Sequence, residues 1–260
     1  MSTASFDQLS GHLRGDQSPR VWSLLVTVFG ELAQQDGSKI SGAVIGHLTR
    51  LIGIKPEATR VALHRLKKDG WIQAHRFGRN SHYALTPWGR AQSAQATPRI
   101  YATTQPVADA WLVLNDPAIP PATHDESVVT ISTQIRISPT CPKGSQVFAT
   151  QLTRSSDLPD WIADKLCDAA TLSLSHAFSQ QLSKLESALG ASPRLTKLEI
   201  AALRVLIVHS WRKIVLKTPI LPDFVFPAHW TGHTCRTQVA TLLAQLAIQT
   251  IADLEEAVAA

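Results

Sequence analysis

Between Ile52 and Gln73 the chain reads IGIKPEATRVALHRLKKDGWIQ, five basic residues and one histidine set among apolar positions that recur every three or four residues. Pro56 suits the first turn of a helix, where the missing amide has no intrahelical partner, so a helix is predicted from Pro56 and Gly70 ends it. On it Thr59, Ala62, Leu63 and Leu66 form one core-facing stripe, while Glu57, Arg60, Val61, His64, Lys67 and Lys68 occupy the remaining surface. Taken alone, this is also the pattern of an ordinary solvated helix. The neighbouring segments therefore carry the argument.

Upstream, SGAVIGHLTRLI (Ser41 to Ile52) has the same period, with Val44, Ile45, Leu48, Leu51 and Ile52 on one side and a Gly-containing turn before Pro56. Two short helices joined in this way fit a helix-turn-helix, whose second helix enters the major groove. VWSLLVTVFGELA (Val21 to Ala33) is apolar enough to back the pair. Downstream the period changes: Trp71 to His75 and Ser81 to Leu85 are candidate strands, and RFGRN between them supplies a turn glycine and two arginines. Thr86 and Pro87 then cap a further helix through Ala94. Three helices, a hairpin and a closing helix predict a winged helix-turn-helix.

Residues 1–99 hold 13 Lys and Arg against 6 Asp and Glu, a net +7, whereas residues 100–260 sum to −2. Concentrated positive charge is what phosphate neutralisation requires. Arg60 and His64, one turn apart, are candidates to reach base edges. Lys55, Lys67 and Lys68 flank them and suit phosphates. Arg76, Arg79 and Asn80 at the wing tip suit a narrow minor groove. Arg65 borders the buried stripe and fits either DNA or an acidic partner. For the wing, a solvated hairpin is the alternative.

These residues resemble a known family. VWSLLVTVFGELAQQDG followed by LIGIKPEATRVALHRLKKDGWIQAHRFGRNSHYALTPWGR is similar to the amino-terminal domain of the PaaX family, bacterial repressors of phenylacetic acid catabolism. LIVHSWRKIVLKTPILPDFVFPAHWTG, Leu206 to Gly232, resembles that family's carboxy-terminal signature. The resemblance implies a cytoplasmic, dimeric transcriptional repressor that binds operator DNA through its winged helix and releases it on binding phenylacetyl-coenzyme A or a related acyl-coenzyme A. It also implies a central ferredoxin-like domain. Here the segment that supplies that domain's first helix is NDPAIPPATHDES, whose three prolines disfavour a helix.

The expected class is α+β and multidomain. Residues 1–98 form the winged helix-turn-helix, 99–155 a small central sheet domain, and 156–260 an all-helical domain for effector binding or dimerisation. A polar, proline-bearing linker is expected at QSAQATPRIYATTQP, then strands in AWLVLN, SVVTISTQIRISP and SQVFATQL. From Trp161 helical spacing returns: one or two helices in WIADKLCDAATLSLSHAFSQQLSKLESAL, a long one capped by Thr196 with Glu199, and a last one over RTQVATLLAQLAIQTIADLEEAVA. At 260 residues and 44% hydrophobic the chain is long enough for a sizeable core. No stretch of about 20 apolar residues lacks charge, and MSTASFDQLSGHLRGD has no signal-peptide core, so a soluble, unexported protein is expected. Cys141, Cys167 and Cys235 are isolated, which points to reduced thiols and no metal framework.

An acyl-coenzyme A pocket needs an aromatic wall and a basic mouth. Arg204, Trp211, Arg212, Lys213, Lys217 and Trp230 supply those types, although core packing and a solvated face explain them equally. His229, His233, Cys235 and His209 raise a metal reading, but no HExxH occurs and no acid lies between the histidines of HWTGHTC. Asp157 and Asp160 read as a surface turn. A metal-dependent hydrolase or nuclease, with the winged helix as a delivery module, is the alternative function. No cofactor and no enzymatic activity are expected, since no catalytic constellation is complete.

Overall fold

The computed structural model describes residues 3–13, 20–78, 80–105, 107–118, 127–144, 146–156, 158–191 and 194–260. Among them the chain is α+β, with ten α-helices and two small antiparallel sheets. It divides into two compact units. The first takes Met1–Tyr101, Gln180–Arg212 and Gln238–Ala260; the second takes Ala102–Ser179 and Lys213–Thr237.

In the first unit, α1 (Ala4–Leu13) buries Phe6, Leu9 and Leu13, one face of a helix that sequence spacing did not predict. Helix α2 (Val21–Leu32) is buried over most of its length, as its composition predicts. Strand β1 (Ile40–Ser41) leads into α3 (Gly42–Leu51), whose first turn is capped by the Ser41 hydroxyl accepting from Val44 N–H at 3.1 Å. Helix α4 (Pro56–Lys68) starts where Pro56 predicts, and its buried residues are Thr59, Ala62, Leu63 and Leu66, the expected stripe. Thr59 Oγ1 donates to Thr49 Oγ1 at 3.1 Å, which ties α4 to α3 inside the core. Gly70 adopts φ 76°, a left-handed helix end that a side chain disfavours.

Strands β2 (Ile72–Phe77) and β3 (Asn80–Leu85) pair from Ile72↔Leu85 to Phe77↔Asn80, and β1 joins the other edge of β3. Thr86 caps α5 (Pro87–Ile100) by accepting from Gly89 N–H at 3.0 Å. The helix expected to stop at Ala94 therefore runs to Ile100 through the segment expected to be linker. Pro98 lies inside this helix and is exposed; having no N–H, it cannot make the bond to the Ala94 carbonyl that the helix would otherwise contain. The polar side chains are held by partners within the unit: Ser93 Oγ lies 2.7 Å from the Gln34 amide, and the Tyr101 hydroxyl donates to Glu31.

The carboxy-terminal part of this unit contains most of α8 (Lys197–Val215), opened by Glu199 accepting from Thr196 N–H at 2.9 Å as predicted. The single last helix expected from the sequence is two, α9 (Gly232–Gln245) and α10 (Ile251–Ala259). Thr250 and Asp253 make a capping box at the second start, a signal present in TIAD.

The second unit holds a four-stranded sheet of β4 (Ala110–Asn115), β5 (Val129–Thr130), β6 (Ile135–Ser138) and β7 (Val147–Leu152) in the order β5-β6-β4-β7. All its pairings are antiparallel. Among the described residues no helix lies between β4 and β7; most of the proline-rich segment, 119–126, falls outside them, as does Asp157. Helix α6 (Asp160–Leu166) follows, and Asp168 caps α7 (Ala169–Gly190) by accepting from Thr171 N–H at 2.6 Å. Asp223 receives Trp230 Nε1 at 3.1 Å and Arg236 Nη1 at 2.9 Å, which fixes the turn before α9.

Candidate nucleic-acid interface

Burying one stripe of α4 leaves its other side in water, where Lys55, Arg60, Val61, His64, Arg65, Lys67 and Lys68 are all exposed. The helix carries Glu57 in its first turn and Arg65, Lys67 and Lys68 in its last, so its charges complement the helix dipole. Arg65 Nε lies 3.6 Å from Asp69, an exposed pair that leaves the guanidinium accessible. Asp69 also accepts from Trp22 Nε1 at 3.2 Å, which anchors the end of α4 to α2.

Arg76 and Asn80 are exposed at the end of the β2–β3 hairpin, and Arg79 lies outside the described residues. Sequence inspection missed two residues at this tip. Lys39 Nζ sits 5.1 Å from the centre of the exposed Phe77 ring, a cation over an aromatic face. Only the pairing of β1 with β3 brings Lys39 there, and so short a strand leaves no periodic signal.

A second missed contact fixes α3. Glu255, on α10, accepts from Ser41 N–H at 3.0 Å and from the Ser41 hydroxyl at 2.8 Å. Lys197 in turn binds Asp253 at 2.8 Å and Glu256 at 3.3 Å on the same helix.

The six residues singled out for an effector fall into both units. Arg204 is buried, with Nε donating to Glu31 at 2.6 Å and Nη1 to the Leu243 and Leu246 carbonyls. Trp211 is fully buried and donates to Ile100 O at 3.0 Å. Arg212 is half-buried in the same unit and donates to Thr27 Oγ1 at 3.0 Å. Lys213 and Lys217 are exposed residues of the second unit, where Trp230 is buried against Phe226.

The histidines considered for metal are placed separately. His229 lies in the turn before α9, and His233 Nε2 is 3.1 Å from the Thr234 hydroxyl. Cys235 donates to Ser175 O at 3.3 Å, and burial pushes its thiol up to about 12. His209 Nδ1 is 3.1 Å from Thr27 Oγ1, in the first unit. Among the described residues no three His, Cys, Asp or Glu gather as a metal-binding group.

The PaaX-like protein family model matches residues 20–89, and the model of the PaaX-like protein carboxy-terminal domain matches residues 168–253. This chain belongs to the PaaX family. It is 26% identical over 265 residues to the transcriptional repressor PaaX of Escherichia coli strain K12, covering 90% of this chain and 83% of that protein. An uncharacterized Mycobacterium tuberculosis protein of solved structure is 17% identical, with a TM-score of 0.48, over 91% of this chain and 97% of that one. Within the PaaX family frame, the first match runs from α2 to the opening of α5 and so contains α4 and the hairpin. The second runs from the capping residue of α7 into α10, and it contains Asp253. Among the described residues no helix is long and apolar enough to cross a membrane.

Proposed function

We propose that this chain is a sequence-specific DNA-binding transcriptional repressor, with α2 to α5 and the β2–β3 hairpin acting as a winged helix-turn-helix and α4 as its recognition helix. The observation that carries the reading is the division of α4 into a buried stripe and an exposed face bearing Arg60, His64, Arg65, Lys67 and Lys68. On that face Arg60 and His64 read base edges, Lys55, Lys67 and Lys68 hold phosphates, and Arg65 serves either role. Arg76, Arg79 and Asn80 on the wing reach the minor groove. The charge of +7 on residues 1–99 supports the same partner, as does the repressor relative.

The family resemblance supplies the remaining parts of the reading. Phenylacetate catabolism genes are the regulated set, phenylacetyl-coenzyme A or a related acyl-coenzyme A releases the operator, and the repressor works as a cytoplasmic homodimer. The four-stranded sheet stands in the place of the family's ferredoxin-like domain, and the carboxy-terminal helices serve the effector and the dimer. Of the residues named for the effector, Arg212, Lys213 and Lys217 retain solvent contact, whereas Arg204, Trp211 and Trp230 are buried.

A gel-shift titration on the DNA upstream of the protein's own gene, at two salt concentrations and with and without phenylacetyl-coenzyme A, tests this. The expected complex survives excess nonspecific DNA, weakens with salt and dissociates with the thioester. No specific complex at either salt overturns the repressor reading, and a complex indifferent to the thioester overturns its effector alone.

A further inference from the structure

Beyond Pro56, every exposed position of α4 carries a charge or an imidazole except Val61. At about 100° per residue, Glu57, Val61, His64 and Lys68 follow one another up the helix on a single row. The row lies opposite the buried stripe of Thr59, Ala62, Leu63 and Leu66, within roughly 30° of the line that faces directly away from it. Arg60 and Lys67 run along one flank of this row and Arg65 along the other.

Val61 is 69% exposed, the highest value among the large apolar side chains described. Single exposed apolar residues are common on protein surfaces, so exposure alone decides nothing. Valine is, however, a poor choice for a solvated helix, because its branched Cβ loses rotamer freedom against the preceding turn where a straight-chain polar residue loses little. Its neighbours indicate what the row faces. A phosphate repels a carboxylate, so a row that contains Glu57 does not suit the DNA backbone. The floor of the major groove suits it better, since cytosine offers an amino donor there to a carboxylate. That floor also presents one apolar group, the C5-methyl of thymine, against which a small aliphatic side chain packs. The flanking cations then lie toward the phosphates on either side.

We propose that Val61 is a specificity-determining residue, packing against a thymine C5-methyl on the floor of the major groove. The proposal rests on the reading of α4 as a recognition helix and adds to it an apolar contact that the basic residues cannot make. It distinguishes thymine from cytosine and uracil, which lack the methyl group.

Anisotropy titrations of the full chain on the DNA upstream of its own gene test this, with the fragment synthesised either with thymine or with uracil at every thymine position. A random duplex carrying the same replacement controls for altered DNA shape. Alanine is the better helix former at an exposed site, so Val61→Ala keeps the fold. The wild-type chain is expected to bind the uracil fragment about fourfold more weakly for each methyl contacted, the transfer free energy of one such group. Val61→Ala is expected to bind the thymine fragment more weakly by a similar factor and to be indifferent to the replacement. A wild-type chain indifferent to uracil, or a Val61→Ala variant that loses as much affinity as the wild type does, overturns this proposal alone. Absence of any specific complex with the thymine fragment overturns the repressor reading and this proposal with it.

Discussion

Glu255, five residues from the carboxy-terminal end, holds Ser41 by two hydrogen bonds, 3.0 Å from the backbone N–H and 2.8 Å from the hydroxyl. Ser41 is the capping residue of α3, so α10 fixes the start of the helix that packs against α4. Removing the carboxylate leaves a buried N–H and hydroxyl competing for fewer acceptors, which costs about 1–3 kcal/mol. Glu255→Ala should therefore lower the urea midpoint and weaken operator binding together. Unchanged stability would assign the contact no structural role.

The two roles proposed for the basic residues of α4 are separable by salt dependence. Arg60→Ala should cost about 1–3 kcal/mol on the operator and little on random DNA, since a base-edge contact discriminates between sequences. Lys68→Ala should weaken both equally and reduce the salt slope by about 1. Fluorescence anisotropy on both duplexes at several salt concentrations distinguishes the two patterns, and identical behaviour of the variants would remove the division of roles.

What the sequence reveals here is local periodicity bounded by stops. Pro56, the Thr59–Ala62–Leu63–Leu66 stripe and Gly70 lie within one short segment, so α4 and its exposed face are legible without tertiary information. Helix α1 escapes because Phe6, Leu9 and Leu13 are too few apolar positions to stand out in a polar segment. The contacts that organise the site are long-range: Ser41 and Glu255 are 214 residues apart, Glu31 and Arg204 173, Glu31 and Tyr101 70. No spacing rule relates such residues. The same limit made Arg204 and Trp211 look like ligand-facing residues, when burial and an internal acceptor hold each inside the unit.

Asp253 links α10 to α8 in a pH-dependent way. The hydrogen bond from Lys197, supported by Thr250, holds its carboxyl at about 2 in the folded protein, against about 3.9 in an unfolded chain. A depressed folded value means the stabilisation is fully present above pH 4 and is lost as pH falls toward 2. Asp253→Asn should therefore lower the unfolding midpoint above pH 4, where it removes the stabilisation, and flatten its decline below that pH. An equally steep decline would show that other carboxylates govern acid unfolding.

The three cysteines should react in two classes. Cys141 is exposed, whereas burial pushes the Cys167 thiol up to about 11 and the Cys235 thiol up to about 12. The thiolate is the nucleophile, so a disulfide reagent at pH 8 should modify one equivalent quickly and the other two only as the protein unfolds. Cys141→Ser should remove the fast phase alone. Two fast equivalents in the native protein would contradict the burial of one of the other pair.

Two glycines should respond to the same substitution with opposite sign. At Gly89 a Cβ would lie 2.2 Å from Trp71 O, a backbone atom that also accepts from Thr86 N–H at 3.0 Å and so has little freedom to move. Gly89→Ala should destabilise by about 1–3 kcal/mol through overpacking where α5 meets the strand-leading Trp71. At Gly46, inside α3, nothing lies within 4 Å of the added carbon. There Ala restricts the unfolded chain and favours the helix, a gain of about 0.5–1 kcal/mol. Urea unfolding of both variants decides the matter. Stabilisation by Gly89→Ala would mean that α5 shifts away from Trp71.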